Sequence, residues 1–146
     1  MTGTAPQGQG GSMRIDGQCH CGAIAYAAEV DPSAVYLCHC SDCQAISGGS
    51  ARWAVPVPRA AFRLLRGETA VYVKRSARGT ENHQHFCGTC AAPIYAVSPG
   101  PGEGVLRLRL GTCTQRAALP PRVEYWTGSA QPWALCPEAT ERHSAQ

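Results

Sequence analysis

Three tight groups of cysteine dominate the chemistry open to this 146-residue chain: Cys19-His-Cys21, Cys38-His-Cys40-Ser-Asp-Cys43 and Cys87-Gly-Thr-Cys90, with Cys113 and Cys136 standing alone. A CxxC segment folds into a knuckle in which two sulfurs and the following backbone amides face one ion. CxC serves as well, because residues two apart on an extended chain share a face. Zinc takes four ligands at tetrahedral corners, about 2.3 Å away where the ligand is sulfur. Cys19 and Cys21 can therefore join Cys87 and Cys90 in a closed four-thiolate site. Such a site has no open corner and is structural, tying the first strand to a late hairpin.

The middle group differs in kind. Cys38, Cys40 and Cys43 offer three thiolates within six residues, enough to cap one face of an ion and leave its fourth corner free, the pattern of a catalytic zinc. The spacing also allows a fourth ligand borrowed from Cys113 or a histidine, which would close this site too. His20 and His39 sit inside CxC pairs, so on extended chain their rings point away from the ion. His83, His85 and Cys87 alternate along one strand face, but four cysteines already complete the first site. Cys113 and Cys136 read as small buried hydrophobes.

These cysteines have to be positioned by short strands. Gly and Pro, 16 and 11 of them, make about one residue in five a chain-breaker, which excludes a helical bundle. Apolar residues alternate at Ile24, Tyr26 and Ala28; at Trp53, Val55 and Val57; at Val71 and Val73; and at Leu106, Leu108 and Leu110. Period two predicts strands, with Arg107 and Arg109, interleaved in the last run, on the wet face. The best helical candidate is Asp42 to Ile46. The expectation is one mainly β, predominantly antiparallel domain over residues 13–137, after a disordered leader, 1–12, and before a tail, 138–146.

No apolar run approaches the ~18 residues needed to cross a bilayer, and closely spaced, odd-numbered cysteines point to a reducing compartment. The chain reads as cytoplasmic. Its formal charge of +3 falls to about zero once seven zinc-bound thiolates and two ions are counted, so the basic character is local. Arg52, Arg59, Arg63, Arg66, Lys74, Arg75 and Arg78 face only Glu68 in their segment. They either form one basic patch or lie scattered over solvated strand faces.

The blocks GQCHCGAIAY (17–26), LCHCSDCQAISG (37–48), FRLLRGETAVY (62–72), HFCGTCAAPIY (85–95) and VEYWTGSAQPW (123–133) resemble those of the glutathione-dependent formaldehyde-activating enzyme family, to which the centromere protein V domain also belongs. The resemblance runs over about residues 14–135. It implies a Mss4-like β-tent fold with two zinc ions per chain, a structural one on Cys19, Cys21, Cys87 and Cys90 and a catalytic one on Cys38, Cys40 and Cys43. Two positions depart from the family pattern. Ala91 replaces a glycine after the late CxxC, so the backbone there either avoids positive φ or tolerates it at some cost, and Cys113-Thr114 replaces Leu-Asp.

Three thiolates around Zn²⁺ sum to −1, a weak Lewis acid that suits a soft thiol better than a carbonyl. The implied reaction adds glutathione to formaldehyde, giving S-(hydroxymethyl)glutathione, a carbon-sulfur lyase reaction in the release direction. Glutathione's carboxylates would need cations, and the arginines of residues 52–78 are available. Another small thiol or aldehyde fits the same residues. The alternative is a non-catalytic zinc module contacting nucleic acid or protein, although few aromatics interleave with the basic residues.

Overall fold

The computed structural model describes residues 11–100, 104–135 and 141–145. Most of the leader, Cys136 and residues 138–140 of the tail therefore lie outside the described residues. Two sheets carry the chain. The smaller joins β1 (Met13–Gln18), β2 (Ala25–Val30) and β5 (Phe62–Arg66). The larger contains β3 (Tyr36–Cys38), β4 (Arg52–Pro58), β6 (Ala70–Arg75), β7 (Glu81–Phe86), β8 (Pro93–Val97), β9 (Val105–Arg109), β10 (Val123–Tyr125) and β11 (Glu141–Arg142), in the spatial order β11-β10-β3-β4-β9-β8-β7-β6. Pairing is antiparallel except where β10 runs parallel to β3 and β11. The mainly β, two-sheet architecture is the one the resemblance implies. Part of the expected tail thus extends the larger sheet as β11.

The core lies between the sheets, as period two dictates. Ile15, Tyr26, Ala28 and Val30 from the smaller sheet meet Val55, Val57, Tyr95, Val97, Leu106 and Leu108 from the larger. Phe62 bridges them, its ring 5.8 Å from Tyr26 and 5.1 Å from Tyr95. Ring pairs at such separations add stabilisation beyond the area they bury. The alternation at Val71 and Val73 does mark a strand, but β6 is the last strand of the larger sheet and both side chains are exposed.

The opposite face of the larger sheet differs from the expectation. Cross-strand partners share a face in an antiparallel pair, and the register Cys38↔Arg52, Ala54↔Arg109, Pro56↔Arg107, Ala96↔Arg107 and Gln84↔Ala96 gathers a cysteine, three arginines and a glutamine on one side. This is the face expected to be wet, yet Arg52 and Arg109 are only 5% and 6% exposed. Alternation correctly separates Leu106 and Leu108 from Arg107 and Arg109, but it carries no information about what folds over the second face. The residues lining that face with the arginines come from the helix α1 (Ser41–Ser47), the β6–β7 connection and the turn at Thr127–Ser129.

Candidate metal centres and cleft

The sulfurs of Cys19, Cys21, Cys87 and Cys90 all lie within 4.8 Å of one another. Cys21 Sγ is 3.7 Å from both Cys19 Sγ and Cys87 Sγ. Four sulfurs about 2.3 Å from one ion at tetrahedral corners would be spaced by about 3.8 Å, so this group fits zinc. Cys19 and Cys21 follow β1, and Cys87 and Cys90 form the β7–β8 turn, so the cluster links the two sheets. Amides face the sulfurs as a knuckle requires: Ile24 N–H donates to Cys19 Sγ at 3.2 Å, and those of Thr89 and Cys90 to Cys87 Sγ at 3.4 and 3.5 Å. Backbone donors at Ala92 and Cys21 hold the Cys90 thiol down to about 6. Ala91 closes the turn with φ 69°, its N–H on Cys87 O at 2.8 Å. Avoidance of positive φ is thereby excluded, and the left-handed backbone is tolerated without glycine.

Cys38, Cys40 and Cys43 form the second group, their sulfurs again within 4.8 Å of one another. The local sequence explains how they converge. Cys38 ends β3, and Cys40 caps α1, its sulfur accepting from Cys43 N–H at 3.4 Å. Asp42 sits in the first turn, where a negative charge suits the helix N-terminus, and Gly48 ends the helix at φ 73°. The helix thus spans one residue more at each end than Asp42 to Ile46. Among the described residues no other cysteine, histidine, aspartate or glutamate joins this group. A hydrogen bond from Cys38, reinforced by the charges of Arg52 and Arg109, lowers the Cys43 thiol to about 5 against the opposing effect of burial, while Cys38, as donor and buried, is pushed up. Three converging thiols are a donor set that fits a soft or borderline divalent ion.

The remaining candidates fall elsewhere. Cys113 is fully buried in the core, its Sγ 3.6 Å from Gln115 Oε1, and it belongs to neither group. His20 is exposed. His39 points away from the sulfurs, as expected, and is fully buried with Nε2 2.7 Å from Glu124 Oε1. Glu124 Oε2 in turn accepts from Arg142 Nε at 2.9 Å, so β10 and β11 brace the backbone between Cys38 and Cys40. His83 contacts Glu81 at 2.9 Å, and His85 contacts Thr69 at 2.7 Å while stacking on Tyr95. Neither reaches the first cluster.

A cleft of about 570 Å³ opens over the triplet, within the range usual for small-molecule sites. Five cationic side chains, Arg52, Lys74, Arg78, Arg107 and Arg109, line it against one carboxylate, that of Asp42, which Lys74 pairs at 3.1 Å. The segment of residues 52–78 therefore divides. Arg52, Lys74 and Arg78 line the cleft, Arg63 lines another hollow, Arg66 donates to Gly22 O, and Arg75 pairs with Glu81. Sequence reasoning missed Arg107, Arg109, Gln84 and Trp126 as cleft residues. The alternation placed Arg107 and Arg109 together, but Gln84 and Trp126 carry no local signal. Trp126 holds a left-handed backbone, φ 59°, at the cleft wall, the kind of strain that persists only where its surroundings fix it.

The family profile described as glutathione-dependent formaldehyde-activating enzyme matches residues 14–129. No curated protein sequence matches the chain. Among solved structures, the crystal structure of a Rhodobacter sphaeroides protein, a structural-genomics target, is similar at 21% identity and a TM-score of 0.53, covering 66% of this chain and 85% of that one. That likeness concerns the fold.

Proposed function

The chain belongs to the glutathione-dependent formaldehyde-activating enzyme family, and from that membership we propose that it is a zinc-dependent carbon-sulfur lyase. It adds glutathione or a similar small thiol to formaldehyde or another small aldehyde. The observation that carries this reading is the three-sulfur group of Cys38, Cys40 and Cys43, which has no fourth ligand among the described residues and opens on a cationic cleft. Zinc held there would favour the thiolate form of a thiol that approaches it. Cys19, Cys21, Cys87 and Cys90 would hold the second, structural ion.

In the reaction the thiol sulfur bonds to the aldehyde carbon as the C=O π bond opens, and the proton lost from sulfur ends on the new hydroxyl. The chain's own contribution is placement. The triplet and cleft bring thiol and aldehyde together, a gain of proximity for a reaction that already proceeds in water. Arg52 and Arg109, on the sheet face beside the triplet, favour negative charge on the Cys43 sulfur. Buried His39 and Glu124 hold the backbone that carries the cysteines.

The test is the rate at which free thiol disappears when formaldehyde and glutathione are mixed, with and without the metal-loaded protein. Acceleration that is lost in Cys40→Ser supports the reading. A folded, two-zinc protein with no acceleration for any small thiol and aldehyde contradicts it.

A further inference from the structure

Arg52 and Arg109 share one acceptor. Arg52 Nη1 and Arg109 Nη2 each donate to Gln84 Oε1 at 2.9 Å, and among the described residues neither guanidinium has another side-chain partner. No carboxylate of the described residues pairs with them. Arg109 Nε, also buried, has no hydrogen-bond partner among the described residues. Gln84 is itself fixed. Its amide nitrogen donates to Asn82 Oδ1, and Asn82 donates to Ser98 Oγ at 3.3 Å, which Arg107 also reaches at 3.3 Å. Because arginine only donates, Gln84 must turn its oxygen to the pair.

Two like charges, each more than nine-tenths buried and held side by side by a neutral amide, are unfavourable unless a counter-charge arrives. Burial, aided by the charge of Arg52, lowers the Arg109 guanidinium to about 9. Three thiolates holding a divalent ion sum to −1, against +2 from the guanidiniums. One positive charge remains unbalanced at the floor of the cleft, where Asp42 is already taken by Lys74. Arg52 is the cross-strand neighbour of Cys38, so the charge stands within one small molecule's reach of the sulfurs.

We propose that Arg52 and Arg109, aligned by Gln84, form a carboxylate-binding subsite beside the cysteine triplet, so that the thiol this protein takes carries its own carboxylate. The proposal rests on the reading of the triplet as the place where a thiol is held, and it names the residues that would select an acidic thiol over neutral or cationic ones of equal reactivity. Gln84 acts as a positioning residue, since it aligns two donors for a planar acceptor of the kind guanidinium groups bind best.

Binding without chemistry separates this from the reaction. S-methylglutathione keeps both carboxylates and cannot react, and its diethyl ester lacks both. Calorimetric titration of the metal-loaded protein should show S-methylglutathione binding at least about tenfold more tightly than the ester, the loss expected for one charge-assisted contact. Arg109→Met and Arg52→Met should reduce that ratio toward one. Arg109→Met should also melt no lower than wild type, because it removes a buried unpaired cation, and the melting curve verifies that the variant is folded. If a variant does not fold, Gln84→Glu serves instead. Its carboxylate would cancel the one unbalanced positive charge from within and should abolish the preference. Equal binding of acid and ester by wild type, or an undiminished preference in the folded variants, would overturn the subsite. Should the preference hold while no thiol and aldehyde pair reacts faster, the lyase reading fails and the subsite stands.

Discussion

Cys40 and Cys113 show how differently two cysteines can matter. Cys40 belongs to the open triplet and caps α1, so Cys40→Ser should leave a folded domain with one zinc and no thiol-dependent activity, read by metal analysis and the thiol-consumption rate. Cys113 is buried in the core, away from both clusters. Cys113→Ala should keep both zinc ions and cost about 1–2 kcal/mol, the loss of a small buried side chain, measured by denaturant unfolding. Ala91 offers the opposite sign. A non-glycine residue at φ 69° bears about 1–2 kcal/mol of strain, while glycine loses about 0.5–1 kcal/mol of chain entropy on folding. Ala91→Gly should therefore stabilise the protein by about 0.5–1 kcal/mol. At this scale the sequence reveals the two cysteine groups, because cysteine spacing is a local property, whereas Arg109 is misread as wet because its burial is decided by residues far away in the chain.

Among the elements, the four-cysteine cluster is a clip between the sheets, for it joins the end of β1 to the β7–β8 turn. Structural zinc supplies folding energy directly, so Cys19→Ser or Cys87→Ser should give unfolded or insoluble protein, unlike Cys40→Ser. Circular dichroism of the two classes side by side checks this, and equal loss of folding would mean the triplet is structural as well. A second junction is Gly17, which bridges to Cys113. A Cβ there would lie 2.4 Å from Thr112 O and from the Tyr26 hydroxyl; since the backbone oxygen cannot rotate aside, Gly17→Ala should cost about 3 kcal/mol. Strands that alternate against the core are readable in advance. The short strands β3, β10 and β11 are not, since two or three residues show no period and their parallel pairing is set by long-range contacts.

For the molecule as a whole, the proposed zinc sites differ in kind: four sulfurs between the sheets would enclose one ion, and the three of the triplet would leave the other open to a cationic cleft. The two should differ in lability, and protein purified without added zinc should contain between one and two ions per chain. The division also explains where sequence reading stops. The seven cysteines fall into local patterns, but the cleft is assembled from α1, β4, β7, β9 and the turn at Thr127–Ser129, and only the tertiary fold brings these together. The most direct test of the open site is a chelator titration of the two-zinc protein that follows metal release and circular dichroism together, with and without glutathione. One zinc should leave first from a protein that stays folded, glutathione should slow that release, and the second zinc should leave only with unfolding. Release of both ions together, or a first release that glutathione does not affect, would contradict it.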